Sequence, residues 1–160
     1  MSKSELTDKF NLSQIKELKI VDLESLYFIH KSEGCLDSVS YVTMMNILLS
    51  NDDASVALLQ DIAISSDSIL CVGRALGRLM TPNTPSSALL YVTKQMRYRY
   101  LVTSIESYLL EFTNNPSYDD LEYLCDSGST VEIGQKASQM LKSEYYEKVE
   151  FFLHSLNKGN

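Results

Sequence analysis

Wherever the apolar positions of this chain show a period, they return after three and four residues, and no extended stretch alternates cleanly enough to demand a strand. The pattern therefore predicts an all-α protein. Its segments are punctuated by Asp/Ser-rich turns at Asn51-Asp52-Asp53-Ala54-Ser55, Ser65-Ser66-Asp67-Ser68 and Asp126-Ser127-Gly128-Ser129-Thr130. Short oxygen-bearing side chains accept from the unpaired N–H groups of a helix's first turn, so each cluster reads as a helix start.

Along the chain, Leu6, Phe10, Ile15 and Leu18 suit two short helices between Ser4 and Ile20. Leu23, Leu26, Tyr27 and His30 form one stripe over Asp22–Lys31, with Gly34 placed to close the helix in the left-handed conformation. Asp37 or Ser38 caps the next helix, whose stripe is Tyr41, Val42, Met45, Leu48 and Leu49. The turn at Asn51–Asp53 caps a helix to about Ile64, with Val56, Leu59, Ile62 and Ala63 inward. The turn at Ser65–Asp67 starts another, carrying Ile69, Val72, Leu76 and Leu79 or Met80.

Thr81-Pro82-Asn83-Thr84-Pro85-Ser86 is the strongest break, because each proline biases its predecessor away from helix. We read it as a loop at residues 81–86 inside one domain spanning 1–160. Ser87–Thr113 is one long helix or two broken near Met96–Tyr100. Asn115 is placed to cap a short helix with Tyr118, Leu121, Leu124 and Cys125, and Ser129 with Glu132 spells an S-x-x-E capping box before Val131, Gly134, Ala137 and Leu141. Ser143 then caps a last helix with Tyr146, Val149, Leu153 and Leu156. The total is about seven to nine helices.

Two helix pairs look alike, Ala54–Met80 and Pro116–Leu141: Ile69, Ala75 and Leu79 align with Val131, Ala137 and Leu141 after a constant shift. Gly73 and Gly77 point to close packing, since glycine costs a helix interior about 1 kcal/mol. Ser129-Thr130-Val131-Glu132-Ile133-Gly134-Gln135-Lys136-Ala137, and then Val72-Gly73-Arg74-Ala75-Leu76, resemble the HEAT-like α-helical repeats. That resemblance covers about half the chain and implies a short right-handed solenoid with a concave partner-binding face. Without it the pattern describes an irregular helical bundle.

Composition changes this picture only in sign. At 160 residues with 44% apolar and 22% charged residues, the chain is long enough for a core of ordinary globular make-up. A net charge of −7 argues against binding to nucleic acid, where Lys and Arg must replace counterions along the phosphates, and favours a basic protein partner. Cys35, Cys71 and Cys125 lie more than thirty residues apart, which fits neither a disulfide framework nor a zinc pattern and suggests a reducing, cytoplasmic compartment. No uncharged run is long enough to span a membrane, and the Asn11-Leu12-Ser13 sequon carries no weight in such a compartment.

Tunable chemistry is sparse. His30 and His154 are the two histidines; His30 reads as a core or groove side chain and His154 as an exposed one. No H-E-x-x-H, C-x-x-C, G-x-S-x-G or phosphate-binding loop occurs, so no catalytic residue, cofactor or metal is expected. Asp119, Asp120 and Glu122 open a helix where negative charge favours the positive dipole end. Lys94, Arg97 and Arg99 interleaved with Tyr98 and Tyr100 make a secondary basic-aromatic patch, which Arg74 and Arg78 extend if the fold brings them near.

The expected partner-binding residues are Asp52, Asp53, Tyr118, Asp119, Asp120, Glu122, Tyr123 and Asp126, because ten tyrosines and no tryptophan favour an acidic-aromatic contact surface. The chain is similar to small acidic immunity proteins, many of which neutralise cationic nuclease toxins. That likeness implies a non-enzymatic inhibitor acting by occlusion. A secretion chaperone or assembly subunit is the alternative, and a nucleic-acid binder using Arg97, Arg99 and Tyr98 the third reading.

Overall fold

The computed structural model describes residues 12–112 and 116–159, leaving out the side chains of Tyr145 and Tyr146. The described residues form nine α-helices and one 3-10 turn, with no strand. In chain order these are α1 (Leu12–Glu17), α2 (Ile20–Glu33), α3 (Ser38–Ser50), α4 (Val56–Ser65), α5 (Ile69–Leu79), α6 (Ser86–Gln95), the 3-10 turn Arg99–Leu101, α7 (Val102–Glu111), α8 (Tyr118–Ser127) and α9 (Val131–Lys158). The chain divides into two compact units, 1–79 and 80–160, so their boundary falls just before the proline-containing loop. The expected positions Leu6, Phe10, Asn11, Thr113 and Asn115 lie outside the described residues.

In the first unit, α4 and α5 form a closely packed pair and α3 contacts α1, α2 and α5. Ile15, Leu23, Met44, Leu48, Leu58, Ile62 and Leu79 are the large side chains wholly withdrawn from water there. Local chemistry sets the boundaries. Gly34 closes α2 at φ 63, in the left-handed region that a side chain disfavours. Asp37 caps α3 by accepting from Ser40 N at 2.7 Å. The cap of α4 is Ser55 rather than Asn51–Asp53, because Ser55 Oγ reaches Leu58 N, while the Asn51 side chain accepts from Asp53 N and holds the turn itself.

Of the stripe positions in the first unit, three turn out to be exposed, Val42, Val56 and Ile69, and in the second Tyr118, Val131, Leu153 and Leu156 are exposed as well. Two of the first three occupy the first turn of a helix, beside the capping residue, where the chain enters from the surface. Arg74 and Arg78 are absorbed locally. Arg74 donates to the side chains of Asn46 and Ser50 on α3, and Arg78 donates to the Leu49 and Asn51 carbonyls and so satisfies the C-terminal end of that helix.

In the second unit, α9 packs on α8 and on α7, and α6 contacts α7 and α8. Leu89, Met96, Ile105, Leu109, Leu121 and Leu124 are buried with Ile133 and Ala137. Residues 86–112 break into α6 and α7, and Arg99 donates to the Thr93 carbonyl near the end of α6. The reciprocal capping box sits at Ser117 and Asp120, not at Ser129 and Glu132. Thr130 caps α9 instead, by accepting from Ile133 N, because Ser129 is committed elsewhere: its N–H and hydroxyl both donate to the buried Glu106 carboxylate at 2.8 Å.

No second helix starts at Ser143. α9 runs unbroken for 28 residues, with no proline, and an i,i+4 ion pair between Glu144 and Lys148 at 3.0 Å strengthens the middle. Beyond Ser143 the apolar positions spread around the helix, Phe151 keeping the direction of Ile133. At about 100° per residue, Val149, Phe152 and Leu156 point roughly 120° around the helix from the buried Ile133 and Ala137.

The close-packing glycines are also not the expected ones. A methyl group added at Gly73 or Gly77 would meet nothing within 4 Å, whereas at Gly128 it would lie 2.6 Å from the Leu124 carbonyl oxygen and 2.8 Å from Ile133 Cγ2, and at Gly134 3.1 Å from the Cys125 carbonyl oxygen. The last turn of α8 and the Ile133 side chain demand glycine at Gly128, and the close approach of α9 to the α8 backbone favours it at Gly134. Equilibrium urea unfolding checks the contrast: Gly73→Ala and Gly77→Ala each raise stability by about 0.5–1 kcal/mol, and Gly128→Ala lowers it by about 1–3 kcal/mol.

Candidate functional site

The sequence places its candidate residues in both units. Asp52 and Asp53 lie in the turn between α3 and α4, exposed; Asp52 is 3.3 Å from Arg78 and its side chain is fully open to water. A pair so exposed contributes little to stability. These two carboxylates belong to the first unit and the remaining candidates to the second.

On α8 the geometry sorts the residues. Leu121 and Leu124 are buried and fix the helix by its inner side. Asp120 faces partly inward: its Oδ2 accepts from Ser86 Oγ at 2.6 Å and from Ser117 N at 3.2 Å, so its charge is used to hold α6 and the helix start. Asp119, Glu122 and Asp126, spaced i, i+3 and i+7, share the outer face and are all exposed. Tyr118 is half exposed beside them. This outer face is a carboxylate row on a rigid support.

Tyr123 connects this row to the other predicted patch, since Lys94 Nζ lies over its ring at 4.1 Å from the centroid. That contact is a cation–π interaction, worth about 0.5–1 kcal/mol at an exposed site. The rest of the basic-aromatic patch makes contacts of its own. Arg99 bonds the Thr93 carbonyl, Arg97 is exposed, and Tyr98 packs edge-on against Tyr100 at 6.0 Å.

The first unit contains a cavity of about 380 Å³ beside His30, Tyr41 and Cys71, with Ser65, Ser66 and Ser68 on its wall. His30 is half-buried and its ring lies 4.8 Å from that of Tyr41. Its Nδ1 accepts from Leu36 N at 3.0 Å, which assigns the neutral ring's proton to Nε2. Burial pushes the imidazole below its ordinary pKa and the Tyr41 phenol above its own. Alongside, Asp61 receives Tyr27 Oη at 2.8 Å and Lys31 Nζ at 2.6 Å, joining α2 to α4. Burial, and then the bond to that carboxylate, holds the Tyr27 phenol well above the usual range. Among the described residues, no group of three His, Cys, Asp or Glu side chains is placed to hold a metal ion.

Sequence reasoning did not single out Glu106, although its signal was present: it falls among Val102, Ile105 and Leu109 on the apolar stripe of α7, where a carboxylate must find buried donors. Cys35 is buried, and Cys71 and Cys125 are half-buried; all three are free thiols. No helix among the described residues is long and apolar enough to cross a membrane. Comparison with known protein families, with curated proteins and with solved structures finds no match to this chain.

The histidine makes a pH prediction. Because burial lowers the folded-state pKa of His30 below its ordinary 6.5, the unfolded chain takes up the proton first, and the stability contributed by the neutral ring is present above pH 6.5 and lost as pH falls through the folded value. Denaturation midpoints measured from pH 7.5 down to 5.0 are expected to fall in wild type, and to fall less in His30→Gln, which lacks the titrating ring. An equal decline in both proteins would assign the effect to other groups.

Proposed function

We propose that the protein is a non-enzymatic binding protein that attaches to a basic protein partner through the outer face of α8 and inhibits that partner by covering its working surface. The observation that carries this reading is the exposed row of Asp119, Glu122 and Asp126, flanked by Tyr118, on a helix whose inner face is anchored by Leu121 and Leu124. Such a row needs no induced change to meet a cationic surface, and complementary charge raises the rate of encounter as well as the specificity of docking. Asp120, being spent on Ser86 and Ser117, drops out of the contact set.

The likeness to small acidic immunity proteins makes a cationic toxin, such as a nuclease, the partner class of choice. The HEAT-like reading belongs to the same proposal: the α4–α5 and α8–α9 pairs supply it, and Ala75 and Ala137 hold buried positions in both. Against a full match of the two pairs, Leu79 is buried while Leu141 is only half-buried.

The test is capture of partners from the native cell, followed by kinetics on the isolated complex. The wild-type protein is expected to retain a basic protein and suppress its activity. Combined Asp119→Lys, Glu122→Lys and Asp126→Lys replacement is expected to slow association at least about tenfold and to remove most of its salt dependence. An acidic partner, or binding indifferent to the triple replacement, would refute the proposal.

A further inference from the structure

The far half of α9 carries apolar side chains that its own unit does not cover. Phe152, Leu153 and Leu156 are 60%, 53% and 53% exposed, and Val149 is half-buried beside them. The stripe points roughly 120° away from Ile133 and Ala137, while Phe151, 78% exposed, keeps the direction of Ile133 and stands outside it. From the structure we infer that this stripe is a self-association surface, on which the α9 helices of two copies of the chain lie side by side and parallel.

Charge selects a second copy and its direction. The arc from Phe152 through Leu156 and Val149 to Leu153 carries no charged side chain; Lys148 borders it on one side and Glu150 on the other. Parallel packing about a two-fold axis brings the Lys148 edge of each helix against the Glu150 edge of its partner, forming the same attractive contact twice. Antiparallel packing would face like edges with each other. Within one copy Lys148 pairs with Glu144 at 3.0 Å and cannot reach Glu150, which stands two residues away on a different side of the helix, so the partner's Glu150 shares Lys148 with Glu144. Membrane adsorption is less well served, since three acidic residues, Glu144, Glu147 and Glu150, accompany Lys148 and Lys158 on this segment, where an interfacial helix would be Lys/Arg-rich.

The available area is sufficient for a modest dimer. Taking about 200 Å² for a large apolar side chain, the exposed fractions amount to roughly 350 Å² per copy. Two copies bring roughly 700 Å², and at the ~65% apolar share of homodimer interfaces this corresponds to about 1,100 Å² in total, just above the ~1,000 Å² expected of a specific contact. The association is accordingly expected to be concentration-dependent.

Sedimentation velocity on the full chain tests the inference. The expected result is a shift from the 18.1 kDa monomer to twice that mass as concentration rises toward about 100 μM. Phe152→Glu and Leu156→Glu, both at exposed positions, should abolish the shift while leaving the far-ultraviolet circular dichroism of the monomer unchanged. Lys148→Glu and Glu150→Lys should each weaken dimerisation several-fold, and the double exchange should restore it. A chain that stays monomeric over this range, a dimer that survives Phe152→Glu, or a double exchange that fails to restore association would overturn the inference. So would a monomer that instead sediments with phospholipid vesicles.

Discussion

A carboxylate with almost no access to water must find donors inside the protein, and Glu106 finds them at the turn that starts the longest helix. Only 2% exposed, it accepts from both the N–H and the hydroxyl of Ser129, and Ser129 also meets Thr103 at 2.7 Å. A buried ion left without such bonds would cost several kcal/mol. The contact therefore ties α7 to the α8–α9 turn at one place. It explains why Thr130 rather than Ser129 caps α9. An ion pair between Lys136 and Glu111 at 3.0 Å repeats the α7–α9 link one step further along.

With that corner fixed, the remaining polar groups of the second unit divide by the donors available to them. Asp120 turns inward to Ser86 and Ser117, and Arg99 turns back to the Thr93 carbonyl. Asp119, Glu122 and Asp126 have no such demand on them within the helix start and stand in water. An acidic surface in this protein is thus what remains after internal bonding has claimed its share. The first unit behaves alike: Arg74 bonds side chains of α3, Arg78 closes the end of that helix, and Lys31 with Tyr27 is drawn to Asp61.

Much of this was legible in the sequence, for identifiable reasons. Three-and-four spacing specified helices throughout, Gly34 and Asp37 marked true boundaries, and the proline-rich stretch at 81–86 falls beside the division between the units. What was not legible depended on partners distant in sequence. Ser129 with Glu132 has the form of a capping box, yet Glu106, 23 residues earlier, takes the serine. Gly73 and Gly77 have the form of a packing motif but face open space. Ser143 has the form of a helix cap, whereas α9 continues unbroken through it, and Phe151, Phe152 and Leu156 on its far half are exposed. Of the candidate contact residues, spacing identified the outer row on α8, while only the hydrogen bonds removed Asp120 from it.

The central claim is that α9 is one helix serving two masters, its first half held to its own unit from the Glu106 corner and its second half presenting an uncovered stripe. Residue-resolved amide hydrogen exchange measured at two protein concentrations tests this most directly. The account predicts strong, concentration-independent protection over Ile133–Leu141 and weaker protection over Val149–Leu156 that increases with concentration. Uniform protection along the whole helix at both concentrations, or a stretch beyond Ser143 that exchanges at the unprotected rate at both, would contradict it.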